Sequence, residues 1–392
     1  MLNLFINNQN IMKTYQLILA AALVALASCT KATVDPVNTA KAEGDEIGFN
    51  VVNQKATKAD DAIITGTTYG TDNHFNVWGW QSEAGDFSDV ADNATSNFMT
   101  GLKIEWTKGR DNTRAEAWRN ATNYYYWPFT GKISFLAIHP FTVAPTTVKW
   151  DDTNKKAKAT IDNYTIDGDT KTTDLMFATN EGTRASNGDT PVNMVFKHAL
   201  SQIQFRVRTN DNYTLDDVVF TVNSVTIHNI DLSGNVSYAW DNTLTTPAMA
   251  ISWSNNNTQD ENWAYYATPQ EVTYAATDTE ADLYGAANVM IPQPANADNP
   301  ATPAVIEGTT ITINYTMQQK TYPATTAEVT VAAPWTKVKE GDTEHDPAVA
   351  FAAWEPGKKY NYTLNFNLKE ILFNPSAENW VSVDVATIDV LY

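Results

Sequence analysis

The sequence predicts an all-β protein made of two antiparallel β-sandwich domains, and three observations predict it. Apolar and polar residues alternate in many short runs, the period-two signature of half-buried strands. β-branched and aromatic residues, which suit a pleated surface, are plentiful, while charged residues make up only 18%. No helical-period segment of convincing length follows the N-terminal apolar run. The 392 residues suffice for two domains, and they divide as residues 46–238 and 239–392.

The N-terminus reads as an export signal. Met12 and Lys13 precede an apolar stretch over residues 17–27 that is too short to span a bilayer as a mature helix. Met12 is the expected true start. Leu26-Ala27-Ser28-Cys29 resembles a bacterial lipobox, which implies cleavage before Cys29 and acylation of that residue. The alternative is a plain signal peptide that happens to contain Cys. Residues 1–28 are thus the signal peptide. Residues 29–45, small and polar, are a lipidated tether to outer-membrane lipid. Stable anchoring needs more than one acyl chain, each buried CH₂ contributing about 0.8 kcal/mol, and a multiply acylated Cys29 meets that need.

Strands follow in order. Ile47, Phe49 and Val51 alternate with Gly48 and Asn50. A polar stretch, Gln54-Lys55-Ala56-Thr57-Lys58-Ala59-Asp60, comes next. Phe75, Val77 and Gly79 share one phase, as do Leu102, Ile104 and Trp106, and Ile133, Phe135 and Ala137. Ile203, Phe205 and Val207 oppose Gln202, Gln204, Arg206 and Arg208, a half-buried pattern. Phe220 and Val222 are out of phase with Val225, Ile227 and Asn229, so a bulge is expected near Ser224. Ser233-Gly234-Asn235 reads as a turn, and residues 292–304, with four prolines, as a loop. Ile311, Ile313, Tyr315 and Met317 form another strand face, and Val329 and Val331 a short one. The longest alternation is Tyr360, Tyr362, Leu364, Phe366 and Leu368, entered through Gly357-Lys358.

The charge balance is acidic, 26 Lys plus Arg against 45 Asp plus Glu, which repels phosphate backbones and argues against nucleic-acid binding. One cysteine allows no intrachain disulfide and no cysteine metal site. Metal-protease, nucleophile-elbow, phosphate-loop and dinucleotide fingerprints are missing. Asp60-Asp61 and Asp151-Asp152 are neighbours, which on a strand point to opposite faces and so suit solvated loops better than an acid/base dyad. Asp167-Gly168-Asp169 has too few oxygen ligands for a calcium loop and reads as a turn. His198, beside a core strand, reads as structural. No enzyme, cofactor or metal site is expected. Twelve tryptophans raise a second possibility, a surface glycan-binding lipoprotein with Trp78, Trp80 and Trp263 as stacking platforms. Trp106, Trp127 and Trp150 read instead as core.

The order of motifs carries a family resemblance. Tyr126-Trp127-Pro128 is followed by residues 133–140, Asp174-Leu175-Met176-Phe177-Ala178, and residues 192–207 with Phe196-Lys197-His198-Ala199-Leu200-Ser201. Met290-Ile291-Pro292-Gln293 and Gly357-Lys358-Lys359-Tyr360-Asn361-Tyr362-Thr363-Leu364 complete the series. Behind a lipobox, this resembles the fimbrillin-like lipoproteins of Bacteroidetes over nearly the whole mature chain. The resemblance implies transthyretin-like sandwiches and a subunit of an outer-membrane, cell-surface fimbrium with a role in adhesion to a host protein or glycan. It also implies that the first strand, residues 47–52 with Ile47, Phe49 and Val51 inward, is removed by a protease. A C-terminal strand of a neighbouring fimbrial subunit then fills the groove by strand addition. The family pattern favours Arg at the cut, but the first Arg after the signal is Arg110, and Lys55 and Lys58 are the basic residues in place. Either a protease of broader specificity acts, or the subunit keeps its first strand as a basal or terminal member. The donor candidate is residues 380–392, with Val381, Val383 and Val385 in one phase and Ile388, Val390 and Tyr392 in the next. Burying those six contributes at most about 9–18 kcal/mol. The same alternation equally suits a strand that completes its own sheet.

Overall fold

The computed structural model describes residues 46–53, 69–109, 116–168, 170–188, 190–209, 218–255, 261–293, 309–319, 323–332, 354–366 and 371–379. Most of them lie in strands, and the rest are nearly all turns and loops. The only helices among them are one turn, α1 (Arg184–Asn187), capped by Thr183, and a 3-10 turn at Asp278–Glu280.

The first nine strands are β1 (Phe49–Asn53), β2 (Phe75–Ser82), β3 (Met99–Lys108), β4 (Glu116–Arg119), β5 (Lys132–His139), β6 (Thr147–Asp151), β7 (Lys156–Thr165), β8 (Met176–Gly182) and β9 (Val192–His198). Seven of them close a barrel in the order β1-β4-β3-β2-β5-β8-β9. Its interior holds Phe75 and Val77 from β2, Ile133, Phe135 and Ala137 from β5, and Met194 and Phe196 from β9. These are the alternating positions, because successive side chains point to opposite faces. The outward set of β2, β5 and β8 (Trp78, Trp80, Leu136, Ile138, Phe177) is buried as well. It lies under a second sheet, so β5 reads as a nearly continuous apolar run.

The remaining strands are β10 (Ser201–Arg208), β11 (Val218–Ile230), β12 (Ser233–Asp241), β13 (Ala248–Asn255), β14 (Glu261–Tyr266), β15 (Gln270–Glu271), β16 (Asp282–Met290), β17 (Thr310–Gln319), β18 (Thr325–Ala332), β19 (Lys358–Phe366) and β20 (Ile371–Asn379). The covering sheet is β13-β12-β7-β6. Trp150 meets Trp80 at 5.9 Å, and Tyr238 stacks on Phe177 at 5.1 Å. Two further sheets, β16-β10-β19-β20 and β14-β11-β17-β18 with β15 beside β11, share an apolar core. Phe205 meets Tyr265 at 4.7 Å, and Phe220 meets Phe366 at 5.6 Å. The expected bulge in β11 is present as a register shift between Val222 and Ser224, and it keeps Phe220, Val222, Val225 and Ile227 all buried.

Several expectations are revised. The first body is a closed barrel with a cover, and two pairings are parallel, β1 with β9 and β10 with β19. Parallel neighbours need long crossovers, and both pairs are far apart in the chain. The expected division after residue 238 falls inside β12, whose partners are β7 and β13, while β10 and β11 pair with strands beyond residue 260. Partners therefore change between β9 and β10 and change back at β12 and β13, which join β7. Ser233-Gly234-Asn235 is the start of β12, and the link from β11 is only Asp231-Leu232. There the Asp231 backbone is held by Gln293, whose Nε2 donates to Asp231 O (2.8 Å) and whose Oε1 accepts from Asp231 N (3.1 Å). The polar face of β10 is buried rather than wet at Gln202, Gln204 and Arg208, with Arg206 half-buried. Gln204 Nε2 donates to Gly285 O, and Arg208 pairs with Asp278 at 2.7 Å.

Gly131 turns the chain into β5 at φ +87°, and a Cβ there would sit 2.2 Å from Ser82 O. Both the left-handed backbone and the backbone clash penalise any side chain. Gly131→Ala should cost about 1–3 kcal/mol, read as a lower urea midpoint with unchanged slope.

Candidate functional site

The strand that closes the barrel is also the one with the least symmetric pairing. β1 runs parallel to β9 over five residue pairs, Phe49↔Val192 to Asn53↔Phe196, yet meets β4 in register only at Phe49↔Trp118. Just before it, Glu46 bridges Tyr126, Ile47 N donates to Tyr125 O (2.7 Å), and Val192 N donates to Gly48 O (2.9 Å). Ile47, Phe49 and Val51, the predicted inward set, are all buried in the barrel core. Phe49 presents its face or edge to Phe135 at 5.2 Å and Phe75 at 6.2 Å, the geometry aromatic quadrupoles prefer. These three side chains contribute on the order of 5–9 kcal/mol at most. On the other phase, Asn50 Nδ2 donates to Asn193 Oδ1 at 2.9 Å.

At the start of β1 lies a pair the sequence did not disclose. Glu46 Oε1 is 3.7 Å from Arg119 Nε, and the two side chains are 2% and 5% exposed. Gly48 lies alongside: a Cβ built on it would be 3.6 Å from Arg119 Nε. Arg119 Nη1 also reaches Thr107 O at 3.4 Å. A buried guanidinium is costly unless it is paired. Nothing in the sequence links positions 46 and 119, because the pairing follows from barrel closure alone.

At the other end of β1 sits Tyr69. Its ring stacks on Phe196 at 5.8 Å, near the place where Asn53 ends β1, and meets Trp118 edge-on at 4.8 Å. Its hydroxyl shares a 2.6 Å hydrogen bond with His139 Nδ1, which also lies 3.0 Å from His74 O. Burial pushes the Tyr69 phenol well up and pulls His139 down to about 4. The Asp174 carboxylate and the hydrogen bond to His74 O oppose the second effect, while the nearby His198 and His74 rings add to it. His198, expected to be structural, bonds the fully buried Asp174 through Nδ1 at 2.5 Å.

The other predicted positions are placed or left out as follows. Cys29, the cleavage candidates Lys55 and Lys58, and Val381, Val383, Val385, Ile388, Val390 and Tyr392 lie outside the described residues, as do the signal and tether. The glycan platform is overturned: Trp78, Trp80 and Trp263 are 8%, 0% and 7% exposed. The covering sheet that buries Trp78 and Trp80 recruits β12 and β13 from much later in the chain, so the local pattern around those rings carries no sign of it. Of the rings read as core, Trp127 and Trp150 are buried and Trp106 is partly so. Asp151 accepts from Asn154, and Asp152 pairs with Lys155, as a turn requires. Asp167 Oδ1 accepts from Thr170 N at 2.8 Å in another turn. Among the described residues no cluster of three or more His, Cys, Asp or Glu is placed to hold a metal, and no helix is long and apolar enough to cross a membrane.

The family model described as fimbrillin-like matches residues 30–380. Among solved structures, a fimbrial protein from Bacteroides vulgatus is 19% identical with TM-score 0.50, covering 86% of this chain and 99% of its own. A cell adhesion candidate from Bacteroides uniformis is 15% identical with TM-score 0.41, covering 86% and 98%. A fimbrial assembly protein from Parabacteroides distasonis is 12% identical with TM-score 0.37, covering 87% and 98%. A search of curated proteins finds no match.

Proposed function

The chain belongs to the fimbrillin-like family, and on that premise we propose that it is a structural subunit of a cell-surface fimbrium that polymerises by strand exchange. It is exported, acylated at Cys29 and held in the outer membrane until a protease cuts near Lys55 or Lys58. The segment carrying Ile47, Phe49 and Val51 then leaves, and residues 380–392 of a neighbouring subunit take its place. The observation that carries this reading is the position of β1. It completes the barrel through one long ladder to β9 and a single register pair to β4, so its departure opens a slot without unpicking any other strand. The slot then has an apolar floor of Phe75, Phe135 and Phe196 and two rows of unmatched backbone groups, the template for strand addition. The nine-residue ladder of β20 on β19 ends at Asn379, and the donor lies beyond it, delivering affinity through backbone pairing at about 1 kcal/mol per bond. The role is structural and adhesive; the subunit carries no catalytic task.

The test is made on the intact protein in its own envelope. Mass spectrometry of the mature N-terminus should find a chain beginning after Lys55 or Lys58, and unheated detergent gels should show ladders. The double variant Lys55→Gln, Lys58→Gln should keep the acylated N-terminus and lose the ladder. A processed chain that stays monomeric at high concentration would overturn the reading.

A further inference from the structure

We propose that Tyr124, Tyr126 and Phe129 form the seat on which the body of the next subunit, a second copy of this chain, rests once its tail fills the β1 slot. The inference rests on the strand-exchange reading and adds where the neighbour sits. Among the described residues nine large apolar side chains are exposed, and three of them fall within six positions: Tyr124 at 43%, Tyr126 at 37% and Phe129 at 88%. Clustered exposed rings mark contact surfaces. The segment that carries them is firmly anchored. Tyr125 meets Phe98 at 5.7 Å, and the buried Trp127 meets Phe135 at 5.9 Å. Alternation then turns Tyr124 and Tyr126 outward. The Arg184 guanidinium lies over the Phe129 ring, 4.5 Å from its centre. That contact orients the ring before any partner arrives, so little ordering remains to be done on binding.

The geometry of the slot says why a second copy sits there. The ring-bearing segment borders the leading end of the slot, where Glu46 bridges Tyr126 and Ile47 N donates to Tyr125 O at 2.7 Å. The far end is closed. There Tyr69 spans the two flanking strands, 4.8 Å from Trp118 of β4 and 5.8 Å from Phe196 of β9. It lies downstream of the cut, so it stays when β1 leaves. A donor strand therefore enters from the Tyr126 side, and the end joined to its own body stops there. Residues 380–392 continue directly from β20, which ends at Asn379. Refilling positions 46–53 takes eight of those thirteen residues and leaves at most five as a link, about 17 Å at full stretch. The neighbour's body is thus held within reach of the three rings, and so short a tether gives even a weak contact a high effective concentration. The part it presents is the sheet end where Lys358 lies opposite Asn379, with Lys358 paired to Glu355. A lysine over aromatic faces, with a carboxylate at the rim, suits a polar-edged contact.

The test uses the full chain, expressed and processed in its own envelope. The native cysteine, Cys29, lies upstream of the cut, so added thiols stand alone in the processed subunit. Thr130→Cys with Lys358→Cys, treated with a short bismaleimide, should join copies into ladders that survive heating in detergent. Asp72→Cys with Lys358→Cys, which puts the first thiol just after Tyr69 at the closed end, should not. Separately, the triple variant Tyr124→Ser, Tyr126→Ser, Phe129→Ser should raise the subunit concentration needed for unheated ladders by at least about 10-fold, the scale of losing a central contact. Its urea midpoint should match the parent's, because exposed side chains contribute little to folding. Linkage through Asp72→Cys alone would put the neighbour at the opposite end and overturn the seat while leaving strand exchange intact. Triple-variant ladders at the parent's concentration would overturn it too. Absence of ladders from the processed parent would sink strand exchange itself. If the triple variant fails to fold, the two cysteine pairs still decide.

Discussion

Replacing Phe49 by Ala is expected to destabilise the uncut protein by about 3–5 kcal/mol, the range for deleting a buried aromatic ring. The ring is fully buried and fills the space between Phe75 and Phe135 at the barrel centre. Those two rings belong to different strands that pair with each other, so they cannot collapse into the vacancy without breaking the sheet. The cavity stays open and its cost stays high. Urea unfolding followed by tryptophan fluorescence measures the loss directly. In the cut protein the same change should speed release of β1, because the side chain provides the largest share of that strand's apolar burial. Val51→Ala should do the same more weakly, the removed surface being smaller. A Phe49→Ala protein as stable as its parent would mean that this strand is not seated in the core.

Acidification is expected to weaken the fold through His139 by on the order of 3 kcal/mol between pH 6.5 and 4. The folded value is about 4 and the ordinary value is 6.5. Above pH 6.5 the ring is neutral in both states and contributes no pH dependence. Below it the unfolded chain takes up a proton that the buried ring refuses, so stability falls as pH falls, until the folded ring also titrates. The cause is mainly burial, with Asp174 and the hydrogen bond to His74 O opposing and the His198 and His74 rings reinforcing. His139→Gln removes the titration while offering an amide in place of the ring nitrogen to Tyr69. Relative to its own value at neutrality, the parent's urea midpoint should therefore fall further than the variant's as the pH drops from 7.5 to 4.5. Parallel curves would show that His139 is not the sensor.

Much of this architecture was legible in alternation. β2, β5, β10, β17 and β19 lie where the period-two runs put them, and the phase slip in β11 announced its bulge. Pairing partners were not legible, because a strand's own pattern says which face is apolar and not what will cover it. That is why Trp78 and Trp80 looked like a surface platform: the cover arrives from β12 and β13. It is also why both faces of β10 are buried where one was expected to be wet. The inward residues of β1 were found from the sequence, since they follow the simple period. Glu46, Arg119 and Tyr69 were missed, since each acquires its meaning only when a leading segment closes the ring. Polar residues outside regular alternation carry little positional signal, and a buried ion pair between residues 46 and 119 has none.

The two-residue passage from β11 to β12 has a mechanical consequence. Leu232 and Asp231 leave no slack between the sheets at either side, and Gln293 fastens the Asp231 peptide from both its donor and its acceptor. Tension applied along the molecule would thus pass straight from one hydrogen-bonded ladder to the next. Ladders pulled lengthwise must yield many bonds together, whereas a hinge would let them peel singly. Resistance to pulling is set by the unfolding rate rather than by equilibrium stability. A fibre of such units would behave as a string of stiff links, its compliance confined to the joints between neighbours.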